Sequence, residues 1–206
     1  MAFPPVVVAD ADVLFGATTR GLLIQLDYAG LLHLHWSPLI LDEMSRALVK
    51  SGRKPDIASA KAHEALMDLS LPNAMVDVST VQAQYEVVSN AVRSAKDTHV
   101  AACSYALLAI KAYPGRKAIN LVSKNTKDFK IHQLEQLGVL VQRPDRFLSD
   151  MFDKNRAGIA AAFVAFRASL KSNPEPERLL DKFTEDGQRN FAAAMLAAKR
   201  AGTITL

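Results

Sequence analysis

The sequence predicts an α/β fold with a parallel central sheet followed by a helical extension. Three observations predict it. Short β-branched apolar runs alternate with helical patterns over residues 6–141. The first run, Val6-Val7-Val8-Ala9, ends abruptly in Asp10 and Asp12. From about Ser149 onward the apolar spacing is purely helical. A buried strand has no need of acids at its end, but in open α/β sheets that carboxyl edge is where ligands bind.

Taken in order, the strand from Val6 is followed by a helix over Arg20 to Tyr28, with Leu22, Leu23 and Leu26 on one face and Gly30 to end it. Leu31 to Trp36 reads as a strand. Ser37-Pro38 then opens a helix, a capping hydroxyl followed by proline at the first helical position, with Ile40, Met44, Ala47 and Leu48 as its apolar stripe. Lys50 to Pro55 is a basic turn, Ile57 to Leu69 a helix, Met75 to Val78 a short strand, and Val81 to Val92 a helix. Asp97 to Tyr113 forms a longer helix stopped by Pro114-Gly115. Ile119 to Ser123 is a strand, Lys124 to Asp128 a polar loop, Gln133 to Leu137 a brief helix, and Val139 to Val141 the last strand. In the extension, Ile159, Phe163, Phe166 and Leu170 mark one helix; a break at Asn173 to Pro176 precedes a second with Phe191, Met195 and Ala198.

The chain has 206 residues, half of them hydrophobic, enough for a core and an appendage. The expected division is 1–150 and 151–206. Cys103 is the single cysteine, so no internal disulfide forms; a reducing compartment and a buried structural thiol are expected. Residues 1–5 lack a basic leader region, and no window reaches the roughly 20 apolar residues of a membrane span. A cytoplasmic protein without membrane partners follows as the expectation. Of the net charge of +4, a surplus of three falls in residues 151–206, where nine Lys/Arg face six Asp/Glu. Such a field suits a polyanionic partner, as it suits ordinary solubility.

Four acidic places share one logic. Asp10 and Asp12 follow the first strand, Glu43 borders a buried helical stripe, Asp97 opens a helix, and Asp128 closes a loop with Asn125 three residues ahead. A parallel sheet gathers such positions on one edge. Like charges 4 Å apart repel by about 4 kcal/mol at an effective dielectric near 20, unless a cation sits between them. All-oxygen donors point to Mg²⁺, with Mn²⁺ as a substitute. Each acid also has a plainer reading: Asp97 as a helix cap, Glu43 on a solvated helix edge, Asn125 and Asp128 as turn residues. His33 and His35 alternate on one strand and read as packing rather than metal ligands. His99 reads as a local orienting group. Lys124, Lys127 and Lys130 flank the acidic loop as phosphate contacts or solvated side chains.

On these residues, residues 6–148 resemble a PIN-domain ribonuclease, in particular the VapC-type toxins of bacterial toxin–antitoxin pairs. The family's opening Asp-x-Asn-x-Leu-like motif corresponds to Asp10-Ala11-Asp12-Val13-Leu14, with Asp12 in the asparagine place. Its helical glutamate corresponds to Glu43, its second core aspartate to Asp97 in Lys96-Asp97-Thr98-His99, and its closing loop to Ser123-Lys124-Asn125-Thr126-Lys127-Asp128-Phe129. The resemblance implies a PIN-like three-layer α/β/α fold and a Mg²⁺-dependent endoribonuclease cutting structured RNA such as tRNA. It implies Asp10, Glu43, Asp97 and Asp128 as metal-holding catalytic acids and Asn125 as a positioning residue. It also implies a cognate antitoxin and a homodimer. Many relatives carry further acids just before the position of Asp97, where this chain has Arg93-Ser94-Ala95-Lys96.

Two other readings compete. Asp10-x-Asp12 after a strand, with Ser123 ending a later one, also resembles a haloacid-dehalogenase-type phosphatase, although Asp145 is then its only candidate for a further acidic pair. A noncatalytic PIN-like binding module is the other.

Overall fold

The computed structural model describes residues 4–206. In chain order the elements are β1 (Val6–Ala9), α1 (Ala11–Phe15), α2 (Ala17–Tyr28), β2 (His33–His35), α3 (Pro38–Lys50), α4 (Ile57–Ser70), α5 (Val78–Gln82) and α6 (Tyr85–Ser89). There follow α7 (Thr98–Ala109), β3 (Ile119–Val122), α8 (Ile131–Gln136), β4 (Val139–Gln142), α9 (Pro144–Lys154), α10 (Arg156–Ser169), α11 (Pro176–Glu185) and α12 (Arg189–Arg200). They fall into two compact units. One comprises the chain up to Phe15 with His33–Gln142, the other Gly16–Leu32 with Arg143–Leu206. The division expected at residue 150 follows composition; packing places α2 and all of α9 in the second unit.

The first unit is the expected α/β fold, a four-stranded parallel sheet flanked by helices. Its strand order is β2-β1-β3-β4. All four residues of β1 are buried, as a central parallel strand covered on both faces requires. Val7 is paired with Leu34 on one side and Asn120 on the other, and Ala9 with Val122. β1 leads to β2 on one side while β3 leads to β4 on the other, so the chain diverges between β1 and β3. That is a topological switch point, and the Asp10 and Ser123 positions lie directly at it. Helix α7, whose residues from Thr98 to Leu107 are nearly all buried, packs against β1, β3 and β4. Ser37 caps α3 as expected, its Oγ accepting from the Ile40 amide at 3.4 Å.

Several expected elements differ. Met75 makes only an isolated parallel bridge to Trp36 instead of a strand through Val78. Asp77 diverts the chain there, its carboxylate accepting from the Ser79 and Thr80 amides at 2.9 and 3.1 Å and starting α5. The single helix expected over Val81 to Val92 is two short ones, because Val92 must be extended to bridge Phe129 in antiparallel fashion. The long helix ends at Ala109, not Tyr113, and Lys111 follows with φ 51°. Helix α1, unforeseen, takes up Asp12 in its first turn.

The second unit is helical, with four helices after Gln142 rather than the two expected. Pro176 belongs to the expected break, yet like Pro144 it occupies the first turn of a helix, where a missing N–H costs nothing. The Phe183 ring is the hub of an aromatic cluster, 5.5 Å from Phe191, 6.0 Å from Phe163 and 6.4 Å from Phe166. Helix α2 buries Leu22, Leu23 and Leu26 and packs on α10 and α11. A polar contact ties the same elements: the Gln188 side-chain amide donates to Thr19 Oγ1 at 2.6 Å, and Thr19 donates in turn to Asp186. Among the described residues no helix is long and apolar enough to cross a membrane.

Candidate active site

Strand β1 ends at Ala9, and the Asp10 amide extends its ladder by donating to the Val122 carbonyl at 2.9 Å. Pairing of Ala9 with Val122 sets Asp10 opposite Ser123, the first residue beyond β3. Asp10 is only 7% exposed. Burial, and then the neighbouring Asp12 carboxylate, push its pKa up from 3.8 to about 7, against the opposing help of Ser123 and the Ala11 amide; Glu43 adds to the rise. This carboxylate is poorly compensated by the protein alone.

Asp12 has a different task. Its Oδ1 accepts from the Lys124 amide at 3.0 Å, and its Oδ2 from the Asn125 amide at 3.1 Å and the Ser123 hydroxyl at 3.4 Å. The aspartate that stands in the asparagine place therefore fastens the loop leaving β3 to the first turn of α1. Burial raises its pKa in spite of those bonds. The sequence left open whether Asp12 touches the metal with Asp10; in the structure its oxygens are engaged by the loop after β3, together with Ser123, which the sequence reading weighed only for the phosphatase alternative. A small hydroxyl one residue past a buried strand, opposite an aspartate in register, was the available signal.

The remaining acids converge from other elements. Glu43, on α3, lies 3.3 Å from His99 Nε2, with its side chain 47% exposed. His99 draws Glu43 below the usual carboxylate range although partial burial works against it. Burial of the imidazole opposes its charge, but Glu43 prevails and the His99 pKa is raised. The sequence expectation of a local orienting role for His99 matches this contact. Asp97 occupies the position preceding α7 but makes no capping bond. Its pKa is raised by burial, then by Asp128 and, after an opposing Ser94 hydrogen bond, by Glu43. Asp128 ends the short 3₁₀ turn Thr126–Asp128, and the Asn125 side-chain amide donates to its Oδ2. Thus Glu43 acts on both Asp10 and Asp97, Asp128 acts on Asp97, and Asn125 orients Asp128.

The donor chemistry of this set, carboxylates and an amide oxygen with one desolvated aspartate among them, fits a hard divalent cation. Among the described residues, no three His, Cys, Asp or Glu side chains already converge closely enough to hold one. The other expected groups have ordinary partners. His35 is buried, its Nδ1 donating to the Ala74 carbonyl at 3.1 Å, which leaves Nε2 to accept from the Tyr113 hydroxyl at 2.6 Å. Lys130 Nζ donates to the Asn90 carbonyl at 2.8 Å. Cys103 is buried and its thiol pKa is pushed up to about 12, an inert core group. Asp145 accepts from the Asn190 and Phe191 amides at 3.3 and 3.0 Å, capping α12, so the further acid a phosphatase reading would need is committed to structure.

No curated protein and no solved structure matches the chain significantly. Residues 144–197, which run from α9 into α12 and contain none of the clustered acids, match the family model of the VapC50 C-terminal domain. The helical segment is thus similar in sequence to the C-terminal domain of VapC50, while the acidic α/β unit carries its resemblance in its own residues.

Proposed function

We propose that this protein is a Mg²⁺-dependent endoribonuclease, the toxin of a type II toxin–antitoxin pair, acting on structured RNA such as tRNA and held in check by a cognate antitoxin. The observation that carries the reading is a set of acids from four separate segments, electrostatically coupled at the switch-point edge of a parallel sheet, with the Asp10 carboxyl raised to about 7 by burial among them. The VapC50-type C-terminal match supports the toxin assignment independently of those acids. A homodimer and Mn²⁺ as substitute ion accompany the proposal.

In it, Asp10, Glu43, Asp97 and Asp128 would hold the cation, which would supply activation of a water and charge stabilisation of the leaving oxygen in phosphodiester cleavage. Asp12 locks the loop after β3 to α1, so that Asn125 and Asp128 are presented from a fixed backbone. Asn125 holds Asp128 by its side-chain amide. His99 fixes Glu43 and keeps it ionised. In this role the carboxylates hold the cation and water is the attacking group.

Purified protein should cleave RNA with Mg²⁺ and stop with chelator. Asp97→Asn should lose more than about 100-fold in rate. It should unfold at or above the wild-type temperature, since Asp97 makes no capping bond to lose and its charge is disfavoured by burial and by Asp128. Full turnover by a folded Asp97→Asn protein would sink the assignment. Absence of both cleavage and Mg²⁺ binding would favour a noncatalytic binding module.

A further inference from the structure

A cavity of about 570 Å³ opens beside the acidic loop, lined by Arg93, Thr126, Lys127, Phe129 and Ile131. It is shallow and open to solvent, suited to one face of a ligand rather than to enclosing it. Three of its residues belong to the segment that carries Asn125 and Asp128. Arg93 is fixed to the same segment, its amide donating to the Asp128 carbonyl at 2.7 Å, next to the Val92–Phe129 bridge and the Lys130 amide bonded to the Ala91 carbonyl at 2.9 Å. The cavity and the acids are therefore held by one small antiparallel ladder.

The chemistry of the lining is specific in kind. Phe129 is 2% exposed and Ile131 41%, giving an apolar floor with one accessible aliphatic side chain. Arg93 and Lys127 are exposed, and neither side chain has a hydrogen-bond or ion-pair partner among the described residues. Of the three lysines around this loop, Lys130 is bonded to Asn90 and Lys124 is engaged elsewhere; Lys127 is the one left open. Two open cations over an apolar floor, one residue from an acidic cluster, match a group that is anionic at one end and flat and apolar at the other.

We propose that this cavity is a nucleotide subsite, seating an unpaired nucleotide of the RNA adjacent to the cleaved phosphodiester. Arg93 and Lys127 take its phosphate, and the base lies against Ile131 and the rim of Phe129. Unstacked bases on apolar side chains, with cations along the backbone, are how single-stranded RNA is commonly held. The proposal rests on the acids being an RNA-cleaving site, and it restricts that site to looped or single-stranded segments.

The test is fluorescence anisotropy with a labelled single-stranded RNA of about eight nucleotides, in chelator, on full-length protein between about 50 and 200 mM salt. Arg93→Gln/Lys127→Gln should weaken binding roughly tenfold and lower the slope of log affinity against log salt by about 0.7, the value for one neutralised phosphate. Ile131→Ser should weaken binding without changing the slope. The charge-matched control Lys50→Gln/Lys117→Gln, both exposed and remote from the cavity lining, should leave affinity and slope near wild type. The Mg²⁺-induced thermal shift of all variants should equal that of the wild type. Loss of RNA affinity in the cavity variants upholds a nucleotide-binding subsite; a wild type that binds this RNA through the cavity but never cleaves RNA sinks the nuclease reading and leaves the cavity as an RNA-binding site only. Wild-type affinity and slope in Arg93→Gln/Lys127→Gln overturn the subsite and leave the cleavage reading untouched; failure of the wild type to bind this RNA overturns it too.

Discussion

Asp10 ends a wholly buried strand, and burial beside Asp12 makes its charge costly. A neutral amide of the same shape keeps the acceptor for the Ala11 amide, at 2.6 Å from Oδ1, and removes the charge. Asp10→Asn should therefore stabilise the protein in chelator, by on the order of 1–3 kcal/mol, while abolishing the stabilisation that divalent cation gives the wild type. Urea denaturation with and without Mg²⁺ reads both effects. A variant less stable than wild type in chelator would mean that the fold itself requires the Asp10 carboxylate. Asp12 should gain less from the same change, since its two oxygens accept from three groups of the following loop that an amide cannot all replace, although burial raises its pKa too. Neighbouring carboxylates in one short motif thus divide into one poorly compensated by the protein and one held by its hydrogen bonds. Spacing alone does not separate them; the register of β1 against β3 does.

Helix α2 and strand β2 each carry a residue whose environment decides its behaviour. Gly21 lies inside α2, where alanine ordinarily gains about 1 kcal/mol. A Cβ at this position would stand 2.2 Å from the Phe166 ring, which is itself 6% exposed. Gly21→Ala should destabilise instead, by about 1–3 kcal/mol, as the ring is forced from its rotamer. A raised melting temperature would show that Phe166 has room to move. In β2, burial holds the His35 pKa at about 4 against an ordinary 6.5, with His33 adding to the depression and the Ala74 carbonyl opposing it. The unfolded chain therefore takes up the proton first as pH falls. His35's contribution to stability is whole above pH 6.5 and is lost progressively down to pH 4, by about 3 kcal/mol. His35→Asn keeps a donor toward Ala74 without a titrating ring. Its denaturant midpoint should fall less steeply than that of wild type across this window, and parallel curves would remove His35 as the cause.

At the scale of the chain, the segment Gly16–Leu32 packs with the C-terminal helices although the sheet surrounds it in sequence. A truncation after Ser149 looks harmless by composition, because the apolar helical pattern changes there. It cuts α9 in mid-course and removes α10 and α11, against which α2 buries Leu22, Leu23 and Leu26. The shortened chain should expose those leucines, bind a hydrophobic dye and self-associate. Dye fluorescence and light scattering report this directly, and a monodisperse, dye-free fragment would show that α2 can find another cover.

The sequence by itself determined the alternation of strands and helices, the parallel sheet, and the acids Asp10, Glu43, Asp97 and Asp128 as places where charge sits at the margins of buried elements. These were legible because burial writes a period into the chain, and because a carboxylate bordering an apolar run is a local anomaly. Helix α11 was not, since proline in a first helical turn reads like proline in a break until the following residues are seen to be packed. The division of labour between Asp10 and Asp12, the freedom of Asp97 from capping, the pairing of Glu43 with His99 and the return of α2 to the C-terminal helices were decided only by tertiary structure. Each depends on a contact between residues distant in sequence, set by strand register or by helix packing, and no local pattern encodes such a contact.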